Sequence, residues 1–207
     1  MTELQNSGTD PTRRPLSYEE IEKVIQAHRT LGHRIVLTSG SYDLFHIGHA
    51  RYLGAAKNAF GCPDRTVLVV GVDSDAKVRA RKGKDRPIIP EEERAEILLH
   101  CRHVDYVVIK PAEQERWRLI KTVQPDLLVC SERNKFTPED IEGMHEWCGE
   151  VRELRSQAAT STSAKIRQLV MGLTEDMRAQ FRRLAGDITS KLEEFDRLLD
   201  KAGKREP

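Results

Sequence analysis

The chain has few cysteines, almost no net charge and no long apolar run, and each shortage narrows what it can be. Cys62, Cys101, Cys130 and Cys148 lie far apart and form no Cys-x-x-Cys pair. They read as reduced cytoplasmic thiols, not as a disulfide framework. His100-Cys101-Arg102-His103 is either a small metal cluster or the end of a helix, and the helix end is the expected outcome. Lys+Arg number 34 against Asp+Glu 33, a net charge of +1. Such a balance gives no global reason to bind nucleic acid or an anionic membrane, so any phosphate binding must come from a local site. No apolar run is long enough to span a bilayer, and the N-terminus lacks a signal-peptide pattern. A cytoplasmic protein without a membrane partner is expected.

What is present is an alternation of strand and helix. A length of 207 residues allows one well-buried domain with extensions. Residues 1–15 are polar, carry two prolines and lack apolar periodicity, so a disordered tail is expected. Ser17-Tyr18-Glu19-Glu20 has the form of a capping box, and Ile21, Val24, Ile25 and Leu31 give the next helix an apolar face. Strands are expected at 35–38, 66–72, 104–109 and 126–130, with an edge strand at 151–154. Helices are expected at 48–60, 91–101, 117–123 and from Thr137, where Thr is the N-cap and Pro138 opens the first turn. Apolar strands alternating with helices imply an α/β fold, with a parallel five-stranded sheet covered by helices on both faces. In such sheets ligands bind beyond the carboxyl ends of the strands.

Gly40-Ser41-Tyr42-Asp43-Leu44-Phe45-His46-Ile47-Gly48-His49 lies just after the first strand and opens the first crossover helix. A helix N-terminus favours anions, because its free N–H groups and its dipole point outward. Two histidines three residues apart add donors for phosphate oxygens. Gly40 and Ser41 form the preceding turn, where the Ser41 hydroxyl can face phosphate, and Tyr42 and Asp43 complete it. Gly48 allows close backbone approach. Asp43 either orients a neighbouring group, anchors the turn, or holds a metal through water.

This segment resembles the HxGH signature of the cytidylyltransferase-like nucleotidyltransferases. The resemblance runs from about Arg34 to Gln168 and implies a Rossmann-like sheet. It also implies transfer of a nucleotidyl group from ATP or CTP to a phosphorylated small molecule, with release of pyrophosphate and use of Mg²⁺. The ion would be held mainly by the triphosphate; protein ligands for it are not identified. His46 and His49 would be catalytic donors. In this family a lysine in the loop after the second strand reaches the triphosphate. Lys82 of Arg79-Ala80-Arg81-Lys82-Gly83-Lys84 matches best and Lys84 is the fallback. Arg94 pairs either with an anion or with Glu91. Ser161-Thr162-Ser163 resembles the family's hydroxyl segment at the start of the last helix, and Thr160 is an alternative first member.

After the fourth strand, many relatives carry a Gly followed by Asp and an aromatic residue. Here the chain reads Ser131-Glu132-Arg133-Asn134. Glu132 or Asn134 either bonds a ribose or base, or faces solvent. Trp117 either stacks on a ring or packs in the core, and its spacing with Ile120 favours the core. Val70-Gly71-Val72-Asp73-Ser74-Asp75 and Arg86-Pro87-Ile88-Ile89-Pro90 look most like heptose-1-phosphate adenylyltransferases, which favours ATP as donor and a phosphorylated sugar or polyol as acceptor. The alternatives are a glycerol-3-phosphate cytidylyltransferase, an FMN adenylyltransferase, or a catalytically weak nucleotide-binding protein with a partner-recruiting helix.

The organisation expected is a tail (1–15), a nucleotidyltransferase domain (16–172) and an amphipathic helical extension (173–207). In the extension Leu173, Met177, Phe181, Leu184, Ile188, Leu192, Phe195 and Leu199 recur every three or four residues with charges between them. It forms one long helix, or two broken near Gly186. Its stripe packs either on the chain's own core or on a second copy, and a homodimer is favoured.

Overall fold

The computed structural model describes residues 13–132, 136–155 and 162–203. They belong to two compact units, Met1–Ser161 and Thr162–Pro207.

In the first unit the strands are β1 (Arg34–Gly40), β2 (Thr66–Asp73), β3 (Tyr106–Lys110), β4 (Leu127–Ser131) and β5 (Glu150–Leu154). The helices are α1 (Tyr18–Thr30), α2 (Ile47–Lys57), α3 (Asp75–Lys82), α4 (Glu91–Leu99), α5 (Arg118–Val123) and α6 (Pro138–Met144). Every strand pairing is parallel, in the order β3-β2-β1-β4-β5. The chain winds outward from β1 to β3, then returns to the other side of β1 for β4 and β5. Strand order therefore reverses between β1 and β4, the place where such Rossmann-like sheets open a crevice beyond their carboxyl ends.

The strands are apolar because both faces of the sheet are covered. All eight residues of β2 are buried. Alternate side chains enter two separate cores. Ile35, Leu37, Val67 and Val69 join one with Ile21 and Ile25 of α1, Leu119 of α5 and Met144 of α6. Val36, Leu68, Val70 and Val72 join the other with Leu53 of α2 and Ala95 and Leu98 of α4. Local signals set the helix ends. Ser17 and Glu20 close a reciprocal capping box on α1, and Thr137 and Asp140 close another on α6.

Two local differences from the sequence reading have physical causes. Leu31 is 66% exposed, because it is the C-cap of α1 and lies past the apolar face. The basic run read as a loop from Arg79 is helical as far as Lys82. The Ser74 hydroxyl accepts from the Lys77 N–H to start α3, and Gly83, at φ 95°, ends it.

The second unit contains α7 (Thr162–Gly203), a single helix of 42 residues. It runs unbroken through Gly186, since one interior glycine costs only about 1 kcal/mol relative to alanine.

Candidate active site

The site is built on the turn that leaves β1. Tyr42 and Leu44 have φ angles of 50° and 48°, a left-handed conformation that non-glycine residues rarely adopt. Tertiary contacts hold them there. The Tyr42 ring is buried beneath Gly40, where a Cβ would stand 3.1 Å from ring atom Cε2. Asp43 is 2% exposed and anchors a second stretch of chain. Its carboxylate accepts from Arg86 Nε at 2.8 Å and from the backbone N–H groups of Ile88 and Ile89, each at 3.1 Å. Of the roles open to Asp43 in the sequence, orienting and anchoring its neighbours is the one these contacts support.

Arg94 lies at the centre of the same framework, 1% exposed. Its guanidinium donates to the carbonyls of Ile89, Ser41 and Asp73 and to the Asp75 carboxylate. Glu91, the partner suggested by the sequence, accepts instead from the Asp75 N–H. Arg94 therefore locks the turn after β1 to the end of β2 and to the segment entering α4. These donors are committed within the protein.

His46 is the N-cap of α2, and its Nδ1 accepts the Gly48 N–H at 3.0 Å. With Nδ1 accepting, the neutral ring carries its proton on Nε2, a donor for a phosphate oxygen. The His49 ring stacks on His46, with centroids 3.9 Å apart and an interplanar angle of 24°. Tyr42 meets His49 edge-on at 5.4 Å and Phe45 lies tilted against it at 5.5 Å. Aromatic neighbours thus fix the His49 ring and the cap bond fixes His46.

The Lys82 ammonium donates to the Ser41 hydroxyl at 2.8 Å, which brings the end of α3 to the turn after β1. Lys82 is exposed at the surface, but partial desolvation, then the neighbouring Arg81 and Arg86, pull its pKa below the usual value, against the opposing pull of Asp43 and Asp73. A lysine with a lowered pKa loses its charge earlier as pH rises. The basic limb of kcat/KM is therefore expected below the ordinary lysine value of 10.5. Lys82→Arg should carry that limb upward, because a guanidinium stays protonated. A limb unmoved in that variant would belong to another group.

Around this pair the carboxyl edge of the sheet is rich in cations. Asp73, buried at the end of β2, is flanked by Lys110 at 3.3 Å, Arg81 at 2.9 Å and Lys77 at 3.8 Å. Burial pushes its carboxyl up, but Lys110, Arg81 and Lys77 outweigh this and hold it below the usual range. Three cations against one buried carboxylate leave local positive charge, although the whole chain is nearly neutral.

The other candidates divide. Lys84 is exposed beyond Gly83, and Glu132 is exposed after β4. Thr162 and Ser163 open α7. Asn134, Thr160 and Ser161 lie outside the described residues. Trp117 packs against the first core, with its ring beside Gly143. Among the described residues no cluster of three His, Cys, Asp or Glu side chains could hold a metal ion. The nearby carboxylates of Asp43, Asp73 and Asp75 already serve cations. The protein residues described thus do not form a cage of their own for a divalent ion. Arg86, Asp73 and Asp75 went unassigned in the sequence reading. All three lie in the two segments, 70–75 and 86–90, that resemble heptose-1-phosphate adenylyltransferases, but no role was attached to them there.

The cytidylyltransferase-like family pattern matches residues 37–184, more than half of the chain. The chain belongs to the cytidylyltransferase-like family. Among curated relatives, it is 40% identical over 143 residues to the bifunctional protein HldE of Geotalea uraniireducens, covering 69% of this chain and 28% of that protein. It is 46% identical over 112 residues to HldE of Nitratiruptor sp., covering 54% and 23%. The chain thus spans about a quarter of the length of these relatives. A solved pantoate-beta-alanine ligase from Francisella tularensis, complexed with beta-gamma ATP and beta-alanine, superposes with a TM-score of 0.51. That match covers 69% of this chain and 66% of the ligase at 11% identity, and shows a shared fold alone. The two histidines stacked at the start of α2 lie within the matched residues.

Proposed function

We propose that this family member transfers a nucleotidyl group from a nucleoside triphosphate, ATP in preference to CTP, to a phosphorylated sugar, releasing pyrophosphate. The stacked pair His46 and His49 at the N-terminus of α2 carries this reading, since it sets two imidazole rings where the helix dipole also favours phosphate charge. An acceptor phosphate oxygen forms a bond to the α-phosphorus. The bond from that phosphorus to the α,β-bridging oxygen breaks, and pyrophosphate departs with the electron pair. No protein nucleophile is needed, so the work is positioning and stabilisation of charge. His46 and His49 donate to the phosphate oxygens, and Lys82 supplies a full positive charge from the end of α3. The Ser41 hydroxyl orients that ammonium.

Mg²⁺ enters this reading bound to the triphosphate, where it neutralises phosphate charge, as expected for an ion that keeps few protein ligands. The preference for ATP and a sugar phosphate rests on the resemblance of residues 70–75 and 86–90 to heptose-1-phosphate adenylyltransferases. The reading places the protein in the cytoplasm with its substrates, as a homodimer. Among the described residues no helix is long and apolar enough to cross a membrane.

The test is pyrophosphate release with Mg²⁺. ATP, CTP, GTP and UTP are each crossed with heptose-1-phosphate, other sugar phosphates, glycerol-3-phosphate and FMN. Release that requires both ATP and a sugar phosphate is expected. Release with CTP and glycerol-3-phosphate would move the assignment within the class. Nucleotide binding without release for any pair would replace the enzyme by a binding protein.

A further inference from the structure

Lys77, Arg81 and Lys110 take no part in the transfer as described above, yet they converge on one point of the sheet's carboxyl edge. They approach the Asp73 carboxylate at 3.8, 2.9 and 3.3 Å respectively. The Asp73 side chain is only 3% exposed, which puts it out of reach of a ligand. The cations stay accessible, with Lys110 17%, Lys77 30% and Arg81 54% exposed. Three positive charges against one negative leave an excess of two at the rim. A phosphomonoester carries about −1.5 to −2 at pH 7 and matches that excess.

The cluster lies across the sheet from the histidine pair. Strand side chains alternate between the two faces. Asp73 continues the series of Val67 and Val69, and its pair partner Lys110 follows Val108, so both belong to the face covered by α1 and α5. Tyr42 and Phe45, which hold the His49 ring, pack with Leu53 of α2 on the other face. Lys110 nevertheless reaches towards β1. A Cβ at Gly71 would stand 2.7 Å from Lys110 Cδ and 2.7 Å from Ser39 Oγ. The lysine stem therefore crosses β2 through space that any side chain at 71 would fill. β1 and β3 are two strand spacings apart, about 10 Å, and the stem covers part of that gap. Arg81 adjoins Lys82, whose ammonium meets Ser41 on the turn after β1. One rim thus carries anion-seeking groups on each side of the sheet.

In-line displacement puts the entering and leaving oxygens on opposite sides of the α-phosphorus. With the triphosphate held at α2, the entering oxygen comes from the side of α1 and α5. We propose that Lys110, with Arg81 and Lys77, receives the phosphate of the acceptor, and that Asp73 is the positioning residue that gathers the three cations. This rests on the transfer reading above and names the residues that select its second substrate.

The test separates the two substrates by isothermal titration calorimetry on the full chain with Mg²⁺. α,β-Methylene-ATP is titrated first. Heptose-1-phosphate, or glycerol-3-phosphate if that acceptor supports release, is then titrated into the loaded protein. Lys110→Met is expected to weaken the acceptor about 10–100-fold, the loss of one charge-assisted hydrogen bond, and to leave the nucleotide within about twofold. Arg81→Gln, at a more exposed position, is expected to weaken the acceptor about two- to fivefold. It keeps the test decisive if far-UV circular dichroism shows that the Lys110 variant is unfolded. Equal weakening of the nucleotide would assign the cluster to the triphosphate and overturn the proposal. Acceptor binding unchanged in both variants would also overturn it, as would a loaded wild-type protein that binds neither phosphate ester. Pyrophosphate release by the wild type is measured separately. Binding as expected without release would fail the transfer reading and leave this assignment standing. Release with a raised acceptor KM and an unchanged ATP KM in Lys110→Met would support both.

Discussion

Replacing His49 with alanine is expected to lower turnover by about 10²–10³-fold, the usual cost of removing one aimed donor from a charge-stabilising site. The second histidine separates two roles that share one ring. His46→Ala removes a phosphate donor and also the cap of α2, so it should reduce turnover similarly and cost a further ~1 kcal/mol of stability. His46→Asn supplies a cap oxygen for the Gly48 N–H and should recover most of that stability with little of the activity. Steady-state pyrophosphate release and urea denaturation on the same preparations give both numbers. Turnover that survives both single alanine substitutions would remove the histidine pair from the mechanism. Equal stability of His46→Ala and His46→Asn would mean that the cap bond contributes nothing.

Arg94→Ala is expected to be the most destabilising single change near the site, by about 3–5 kcal/mol, the range seen when one partner of a buried charged pair is removed. Three carbonyl acceptors and the Asp75 carboxylate would lose their donor together. The strained turn after β1 would lose its tie to β2 and α4. Arg94→Lys should recover little, because a point ammonium cannot span acceptors that a planar fork reaches from several edges. Urea denaturation measures the loss, which should appear as a lower midpoint. A loss below about 1 kcal/mol would mean that water replaces the guanidinium at these acceptors.

The parts legible in the sequence are those whose physics is local. The strands around Val36, Leu68 and Leu128 declare themselves because burial on both faces demands unbroken apolar runs. The helix from Tyr18 declares itself through a capping box of four residues, and the helix from Pro138 through its Thr137 N-cap and the proline in its first turn. The histidine pair is visible because its spacing and its place between strand and helix lie in one segment. Arg94 was not legible as a framework residue, because its acceptors come from Ser41, Asp73, Asp75 and Ile89, and only the folded sheet brings these together. Helix α3 was missed because Val78 is its single buried residue, so it lacks an apolar period to read. Its signals were Ser74 before and Gly83 after. Lys82 was singled out by resemblance alone. Its contact with Ser41, 41 positions away, depends on the pairing of β1 with β2.

The tether from Asp43 to Ile88 and Ile89 has a kinetic consequence. These two amides lie in a connection without regular secondary structure, where hydrogen exchange is ordinarily fast. Both donate to a buried carboxylate that also holds Arg86. They should therefore exchange as slowly as strand amides, and in step with the turn after β1, as one opening unit. A connection that opens only with that turn cannot act as an independent lid. Nucleotide would then enter and leave without displacing residues 86–89.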